Sequence, residues 1–339
     1  MLPFRHLLIT FCCIYATILI VGCSGKPVMV KFSGETQGTY YAITYFEKKA
    51  SNYQQQIDSL LHRFDSSASL WKPNSLLSKI NNNDSTARTD ETLEILFRKS
   101  MEISEQSNGA FDITVGPLVS AWGFGFSDRL KVDKHIVDSL LPLVNYKHLT
   151  LTNGRILKQD NRMRLDFNAI AQGYAVDLVA QFLESKKIKS YLVDIGGEVL
   201  AKGTKPDKTE WSVGIELPAA SADDERQVKA IVSLHDKALS TSGNYRKYYE
   251  ENGVRYSHTI DPSTGYPVKH SVLSVSVLAS DCMTADACAT VMMVKGLENS
   301  KPFLAAHPGL EAYFIYSDST GAMQTWYTPG FGKLIKEEL

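Results

Sequence analysis

The chain has 339 residues, enough for one large domain or two of moderate size, and is 44% hydrophobic and 22% charged, the make-up of a globular protein. Its 22 Gly, 12 Pro and 5 Cys are spread over the whole length, which excludes collagen-like, disordered and disulfide-scaffold classes. The formal net charge is -1 and no long Lys/Arg block occurs. Nucleic acid is therefore not the expected partner, since its binders carry a basic surplus or stripe.

Arg5 gives a short positive start, Leu7 to Val21 is an almost wholly apolar run of 15 residues, and Gly22 and Cys23 follow. That order is the plan of a secretory signal. The run falls slightly short of the ~20 apolar residues that a membrane-spanning helix needs, which leaves a single-pass anchor as the alternative. Leu19-Ile20-Val21-Gly22-Cys23 resembles a bacterial lipoprotein signal. The resemblance implies that residues 1–22 are removed and that Cys23 becomes the lipidated first residue. Residues 23–27 then form a short tether to the membrane, and the body (28–339) sits outside the cytoplasm in the cell envelope. Cys12 and Cys13 leave with the signal, so Cys282 and Cys288 remain, and they read as small buried hydrophobes rather than a bridge. Neither a Cys-x-x-Cys pair nor a His-Glu-x-x-His run is present to support a zinc site.

Residues 28–46 read as two strands that turn at Ser33-Gly34 or Gln37-Gly38. Helical spacing then appears twice, at Ile57, Leu60, Leu61 and Phe64 and at Leu93, Leu96, Phe97 and Ile103. A third helix, beginning near Asn168, carries Ala171, Tyr174, Leu178 and Phe182. Tyr191 to Ile195 is a short apolar strand ended by Gly196-Gly197, and residues 218–228 read as a solvated loop. Leu273, Val275 and Val277 alternate with Ser274 and Ser276, which predicts a half-buried strand. The helix after it contains Ala287, Val291 and Met292. Without an internal repeat, a domain boundary or a regular βαβ alternation, the expectation is a single α+β domain and not a doubly wound parallel sheet.

No Gly-x-Gly-x-x-Gly, Walker-type loop or Gly-x-Ser-x-Gly elbow occurs, so a nucleotide would have to be held in another way. Polar residues cluster instead in three segments. Asp112 lies in Gly109-Ala110-Phe111-Asp112-Ile113-Thr114-Val115-Gly116-Pro117, and Asp166 lies in Leu165-Asp166-Phe167-Asn168-Ala169-Ile170-Ala171-Gln172-Gly173. Asp286 and Thr290, four apart, share one face of a helix. A carboxylate and a hydroxyl one turn apart are hard oxygen ligands suited to magnesium. Equally, such an Asp can serve a helix dipole, and such a Thr can bond a backbone carbonyl.

These segments stand in order with Gln37-Gly38-Thr39-Tyr40, Ser69-Leu70-Trp71-Lys72-Pro73-Asn74-Ser75, Trp122-Gly123-Phe124-Gly125, Asp194-Ile195-Gly196-Gly197-Glu198, Thr241-Ser242-Gly243-Asn244-Tyr245, His258-Thr259-Ile260-Asp261-Pro262-Ser263-Thr264-Gly265 and Thr284-Ala285-Asp286-Ala287-Cys288-Ala289-Thr290. Together they resemble the FAD:protein FMN transferases, the ApbE-type flavin transferases, from about Gly34 to Pro329. The resemblance implies a T-fold-like α+β architecture with mixed, mostly antiparallel sheets and packed helices. It implies Mg²⁺ held by the Ala169 carbonyl, Asp286 and Thr290. The FAD site would comprise Gln37, Trp71, Ala110, Phe111, Asp112, Asp166, Gln172 and Ile260. Three positions depart from the family's pattern: its usual Met is Gln37 here, its usual Gly or Ser is Asn168, and its usual Lys is Gln172. Loss of that lysine weakens contacts to phosphate or adenylate.

The implied reaction transfers FMN from FAD to a Thr hydroxyl of an acceptor flavoprotein in an exported electron-transport complex, releasing AMP. A hydroxyl is a weak nucleophile and benefits from a base. His258 is the candidate, since histidine titrates near neutrality, and Asp261 is its substitute. Two other readings stay open on sequence alone: hydrolysis of FAD to FMN and AMP, and storage of FAD without chemistry.

Overall fold

The computed structural model describes residues 26–124, 132–218, 227–244, 248–251 and 254–339. The signal segment, Cys23, Gly125, Tyr245 and most of the expected loop at 218–228 lie outside them. Among the described residues no helix is long and apolar enough to cross a membrane.

Strands β1 (Val28–Thr36) and β2 (Thr39–Glu47) form a hairpin whose turn is Gln37-Gly38, with φ of 53° and 74°. A two-residue turn with both φ positive matches the right-handed twist of the flanking strands. Ser33-Gly34, the other candidate turn, lies inside β1. There Gly34 leaves room for the Tyr41 ring, 2.6 Å from where a Cβ would stand. Helices α1 (Gln54–Ala68), α2 (Leu76–Asn81) and α3 (Glu91–Gln106) follow. The predicted spacing holds: Ile57, Leu61 and Phe64 of α1 and Leu93, Leu96, Phe97 and Ile103 of α3 are buried, and Leu60 packs against them. Side-chain caps fix two of the starts, Ser78 N–H to Ser75 Oγ at 3.0 Å and Leu93 N–H to Asp90 Oδ1 at 2.9 Å.

Next come α4 (Gly116–Ala121), α5 (Lys134–Leu140) and the hairpin β3 (Leu149–Thr152) and β4 (Arg155–Lys158). Helix α6 (Ala171–Ser185) starts later than expected. Residues 168–170 form a turn instead, because Asn168 N–H goes to Asp166 Oδ1 at 2.8 Å and Ile170 N–H to the Phe167 carbonyl at 3.0 Å. The remaining elements are β5 (Tyr191–Ile195), β6 (Glu198–Lys202), β7 (Trp211–Glu216), β8 (Val228–Leu234), β9 (Lys237–Gly243), β10 (Tyr248–Glu251), β11 (Val254–Ser257), β12 (Val272–Ala279), α7 (Cys282–Ala306), β13 (Glu311–Ser317), β14 (Met323–Tyr327), α8 (Pro329–Gly332) and β15 (Ile335–Glu338). Val228, expected in a loop, already opens β8.

The architecture is α+β, and every pairing between named strands is antiparallel. Eight strands form the main sheet in the order β1-β2-β5-β6-β9-β12-β13-β14. One of its faces carries the helices, with Tyr41, Ile43, Val193, Val275 and Phe314 in the larger core. The other face meets the three-stranded sheet β15-β8-β7 and α8, with Leu239, Tyr313 and Ile315 against Trp211 and Val232 of the sheet and Phe331 of the helix. Alternation along β13, Phe314 to one core and Tyr313 and Ile315 to the other, follows from the two-residue strand period. Covering on both sides also corrects the expectation for β12. Ser274 and Ser276 are each 1% exposed, not solvated, and Ser276 Oγ bonds Thr241 Oγ1 at 2.7 Å. Cys282 and Cys288 are buried and free, as expected.

Candidate functional site

A cavity of about 760 Å³ opens where the β1–β2 turn, the 69–73 loop, the turns before α4 and α6, the β5–β6 turn, β7, the end of β9, residues 258–262 and α7 converge. Its size is that of a small-molecule site. Gln37, Trp71, Ala110, Phe111, Asp112, Asp166, Ala169, Gln172, His258, Ile260, Asp286 and Thr290 all line it. The expected nucleotide and metal positions and the base candidate His258 are thus in one place, whereas Asp261 does not line the cavity; Cys23 is outside the described residues.

Asp286 and Thr290 lie one turn apart on α7, facing the start of α6. Asp286 Oδ2 accepts the Gly173 N–H at 2.9 Å. Glycine is required at 173, because a Cβ there would stand 2.4 Å from the Cys282 carbonyl oxygen. From α6, Asp177 returns the contact by accepting the N–H groups of Cys282 and Met283, each at 2.8 Å. Burial pushes the carboxyls of Asp177 and Asp286 up to about 7 against these hydrogen bonds. Thr290 Oγ1 is 3.4 Å from Ser242 Oγ at the end of β9. Among the described residues no three His, Cys, Asp or Glu side chains converge as a metal-holding group. A cation here would rely on one carboxylate supplemented by a hydroxyl and the Ala169 carbonyl.

Glu198, beside this point, was given no role by sequence. Burial holds its carboxyl well above the usual range, and repulsion from Asp286 and Asp194 adds to the rise. Gln172 Nε2 donates both to Glu198 and to the Ile195 carbonyl, the latter at 2.7 Å. Gly196, with φ of +64°, makes room for that amide: a Cβ would stand 2.1 Å from Gln172 Nε2. Asp194 accepts from Tyr40 Oη at 3.2 Å and from Gly197 N–H at 3.0 Å. Asp194, Glu198, Ser242 and Glu216 are among the lining residues to which the sequence assigned no role. Carboxylates on both sides of the Gly196-Gly197 turn were the available signal.

At the far end, Asp112 is fully engaged. Its Oδ1 accepts from Thr114 N–H at 2.8 Å and Thr114 Oγ1 at 2.6 Å, and its Oδ2 from Tyr146 N–H at 2.8 Å. Burial nonetheless raises the carboxyls of Asp112 and Asp166. The two aromatic positions differ: Trp71 is 63% exposed, whereas Phe111 is buried in the larger core and reaches the cavity only at its wall. Ile260 packs with Leu118, Trp122 and Val137, and Trp122 Nε1 donates to the Gly265 carbonyl at 2.9 Å. That small core fixes the segment carrying His258, whose ring meets Phe124 edge-on with centroids 6.2 Å apart. Asp261, the substitute base, is committed to its own turn by accepting Ser263 N–H at 2.8 Å and Ser263 Oγ at 2.7 Å.

Asp112, Asp166, Asp194, Glu198, Glu216 and Asp286 all line the cavity, and no described lysine or arginine does. Among the described residues, then, the charged side chains that line the cavity are all carboxylates.

Comparisons with known proteins give the family. The profile of the ApbE family matches residues 37–314. An FAD:protein FMN transferase of Vibrio cholerae is 38% identical, covering 83% of this chain and 86% of that protein. The FAD:protein FMN transferase of Escherichia coli K12 is 32% identical over 95% of this chain and 96% of its own length. Among solved structures, the flavin transferase ApbE from Vibrio cholerae superposes with a TM-score of 0.81 at 33% identity, covering 91% of this chain and 99% of that one.

Proposed function

The chain belongs to the ApbE family, and from that premise we propose that it moves FMN from FAD onto a threonine hydroxyl of an acceptor flavoprotein, releasing AMP. The single observation that carries this reading is the anionic cavity that gathers the expected nucleotide, metal and base positions. A pyrophosphate entering it would face carboxylates, with no lysine or arginine opposing them among the described lining residues, so an accompanying cation favours its binding.

Magnesium fits the donor set. Ala169, Asp286 and Thr290 would hold it through a carbonyl, a carboxylate and a hydroxyl, all hard oxygen donors. When bound, it would neutralise charge on the pyrophosphate and on the leaving AMP. The chain's own residues do the rest. Trp71 offers an exposed flat face to a ring. His258 takes the proton from the acceptor hydroxyl as that oxygen bonds to the FMN phosphorus. The bridging P–O bond breaks, and its electron pair leaves with AMP.

The signal pattern supports an envelope lipoprotein anchored through Cys23, with its body facing exported electron-transport flavoproteins. Mass spectrometry of the native protein should then find an acylated Cys23 as the first residue. An intact Met1 terminus would refute the anchor. Incubating the purified protein with FAD, Mg²⁺ and an acceptor domain tests the chemistry. Covalent flavin fluorescence on the acceptor supports transfer; free AMP with an unlabelled acceptor means hydrolysis; unchanged bound FAD means storage.

A further inference from the structure

A second, smaller cavity of about 220 Å³ adjoins the nucleotide cavity and shares Trp71, Val119, Phe124, Asp166 and Asn168 with it. It is below the ~300 Å³ at which independent small-molecule sites begin, so it reads as an extension of the larger one. At ~30 Å³ per water, its volume is that of about seven waters, room for a side chain and a little backbone.

Its chemistry differs from that of its neighbour. Arg164 is the one lysine or arginine that lines either cavity among the described residues. The Arg164 backbone is held firmly while its head is not. Leu165 N–H donates to Asn81 Oδ1 at 2.7 Å, and Asn81 Nδ2 returns a bond to the Leu165 carbonyl at 2.8 Å. Asp166 N–H reaches the Ile113 carbonyl at 2.7 Å. Lys158 Nζ ties the Met163 carbonyl, at 3.0 Å, to those of Ile80 and Asn81 at the end of α2. By contrast, among the described residues the exposed guanidinium makes one long contact, 3.5 Å to Asn82 Oδ1, beyond the usual span of a hydrogen bond. A charged fork on a rigid support, with most of its donors unused, is suited to gripping the oxygens of something that docks there.

The position says what docks. Phe124 lines both cavities and packs on the His258 ring. A group entering from the smaller cavity therefore passes over Phe124 to reach the base candidate. The donor nucleotide already occupies the larger cavity in the proposed reaction, and the hydroxyl must approach from a side it leaves open.

We propose that the smaller cavity is the docking subsite of the acceptor polypeptide. In it, Arg164 holds oxygen acceptors of the segment next to the target hydroxyl. This rests on the transfer reaction proposed above. It makes Arg164 a determinant of acceptor recognition that has no part in binding FAD.

The test uses the purified full-length protein with Mg²⁺, FAD and an acceptor domain, comparing wild type with Arg164→Ala, Arg164→Glu and Arg164→Lys. Loss of a charge-assisted hydrogen bond should raise the acceptor KM in Arg164→Ala by about 10- to 100-fold. Arg164→Glu should raise it further, and Arg164→Lys should recover part of the loss. FAD affinity, read by flavin fluorescence, and FAD cleavage without acceptor should stay at wild-type values in all three. An acceptor KM unmoved in Arg164→Glu, with wild type labelling normally, overturns this proposal alone. Weaker FAD binding in step with the rise in KM overturns it too, since Arg164 would then serve the nucleotide. A wild type that labels no acceptor overturns the transfer reading and this proposal with it.

Discussion

The N–H of Gly173 and Oδ2 of Asp286 meet at 2.9 Å across 113 positions of sequence, where α6 packs on α7. Asp177 makes the reverse connection, from α6 to the first N–H groups of α7. Two carboxylates, one on each helix, thus accept main-chain donors of the other. The Asp286 carboxylate is oriented by the fold itself, before any cation arrives.

Asp286→Ala should abolish transfer and leave the fold in place. Removing the carboxylate orphans the Gly173 N–H, a cost of about 1–3 kcal/mol. It also removes a buried charge that repels Glu198, and the two effects oppose each other. The melting temperature in metal-free buffer should move by no more than about 5 °C, the span of 1–2 kcal/mol in a protein of this size. Transfer by wild type that survives EDTA would show that no divalent ion is needed.

His258→Ala should lower the transfer rate by ~10²–10⁴, the usual contribution of a positioned base. FAD affinity should change little, because a group used in the transition state adds little to ground-state binding. Wild-type rate should fall at acidic pH as the imidazole becomes charged, and the variant should lose that limb and keep only the fall that protonation of Asp286 produces. Asp261→Ala should keep the limb, since its carboxylate is already used by Ser263. Near-normal turnover with much weaker FAD binding would move His258 to the binding residues.

Asp177 should make stability depend on pH. Burial holds its carboxyl up at about 7, opposed by the N–H groups of Cys282 and Met283 and reinforced by the nearby charges of Asp281 and Asp286. A carboxyl raised on folding contributes stability that is complete below its unfolded value, near 4, and is lost as pH climbs through about 7. Wild type should therefore lose about 4 kcal/mol relative to Asp177→Asn between pH 4 and 8, at 1.36 kcal/mol per unit. Paired urea melts across that range measure it, and parallel pH curves for the two proteins would refute it.

Gln172→Lys should tighten FAD binding and make it less dependent on magnesium. The amide at 172 donates to Glu198, so an ammonium there would meet a buried carboxylate and add a positive charge to a cavity wall that has none among the described residues. Fluorescence titrations at several Mg²⁺ concentrations should show a several-fold lower Kd, with the largest gain where Mg²⁺ is scarce. Unchanged binding at every concentration would mean that Glu198 consumes the new charge entirely.

Much of this was legible in the chain because local patterns report local structure. The spacing in α1 and α3 gave those helices, and the Gln37-Gly38 turn was one of two stated choices. Gathered in one cavity are residues as distant as Gln37 and Thr290; that pattern came through the family resemblance, since no local spacing connects them. What stayed hidden depends on contacts distant in sequence. Ser274 and Ser276 look solvated until a second sheet covers β12. Glu198 looks like an ordinary outward strand residue until α7 brings Asp286 to it. Arg164 stands out only once α2 and α4 wall the space around it.

Cys282 and Cys288 sit on one helix, both sealed from solvent. Burial raises the Cys282 thiol and pushes that of Cys288 up to about 12, so neither offers the thiolate that oxidants attack. Protection of this kind exists only after α7 has docked. Under oxidising conditions the vulnerable species is the chain before it folds, when both sulfurs are accessible and a partner thiol is six residues away. The speed of folding, rather than the strength of the folded state, then determines how much enzyme escapes a wrong disulfide.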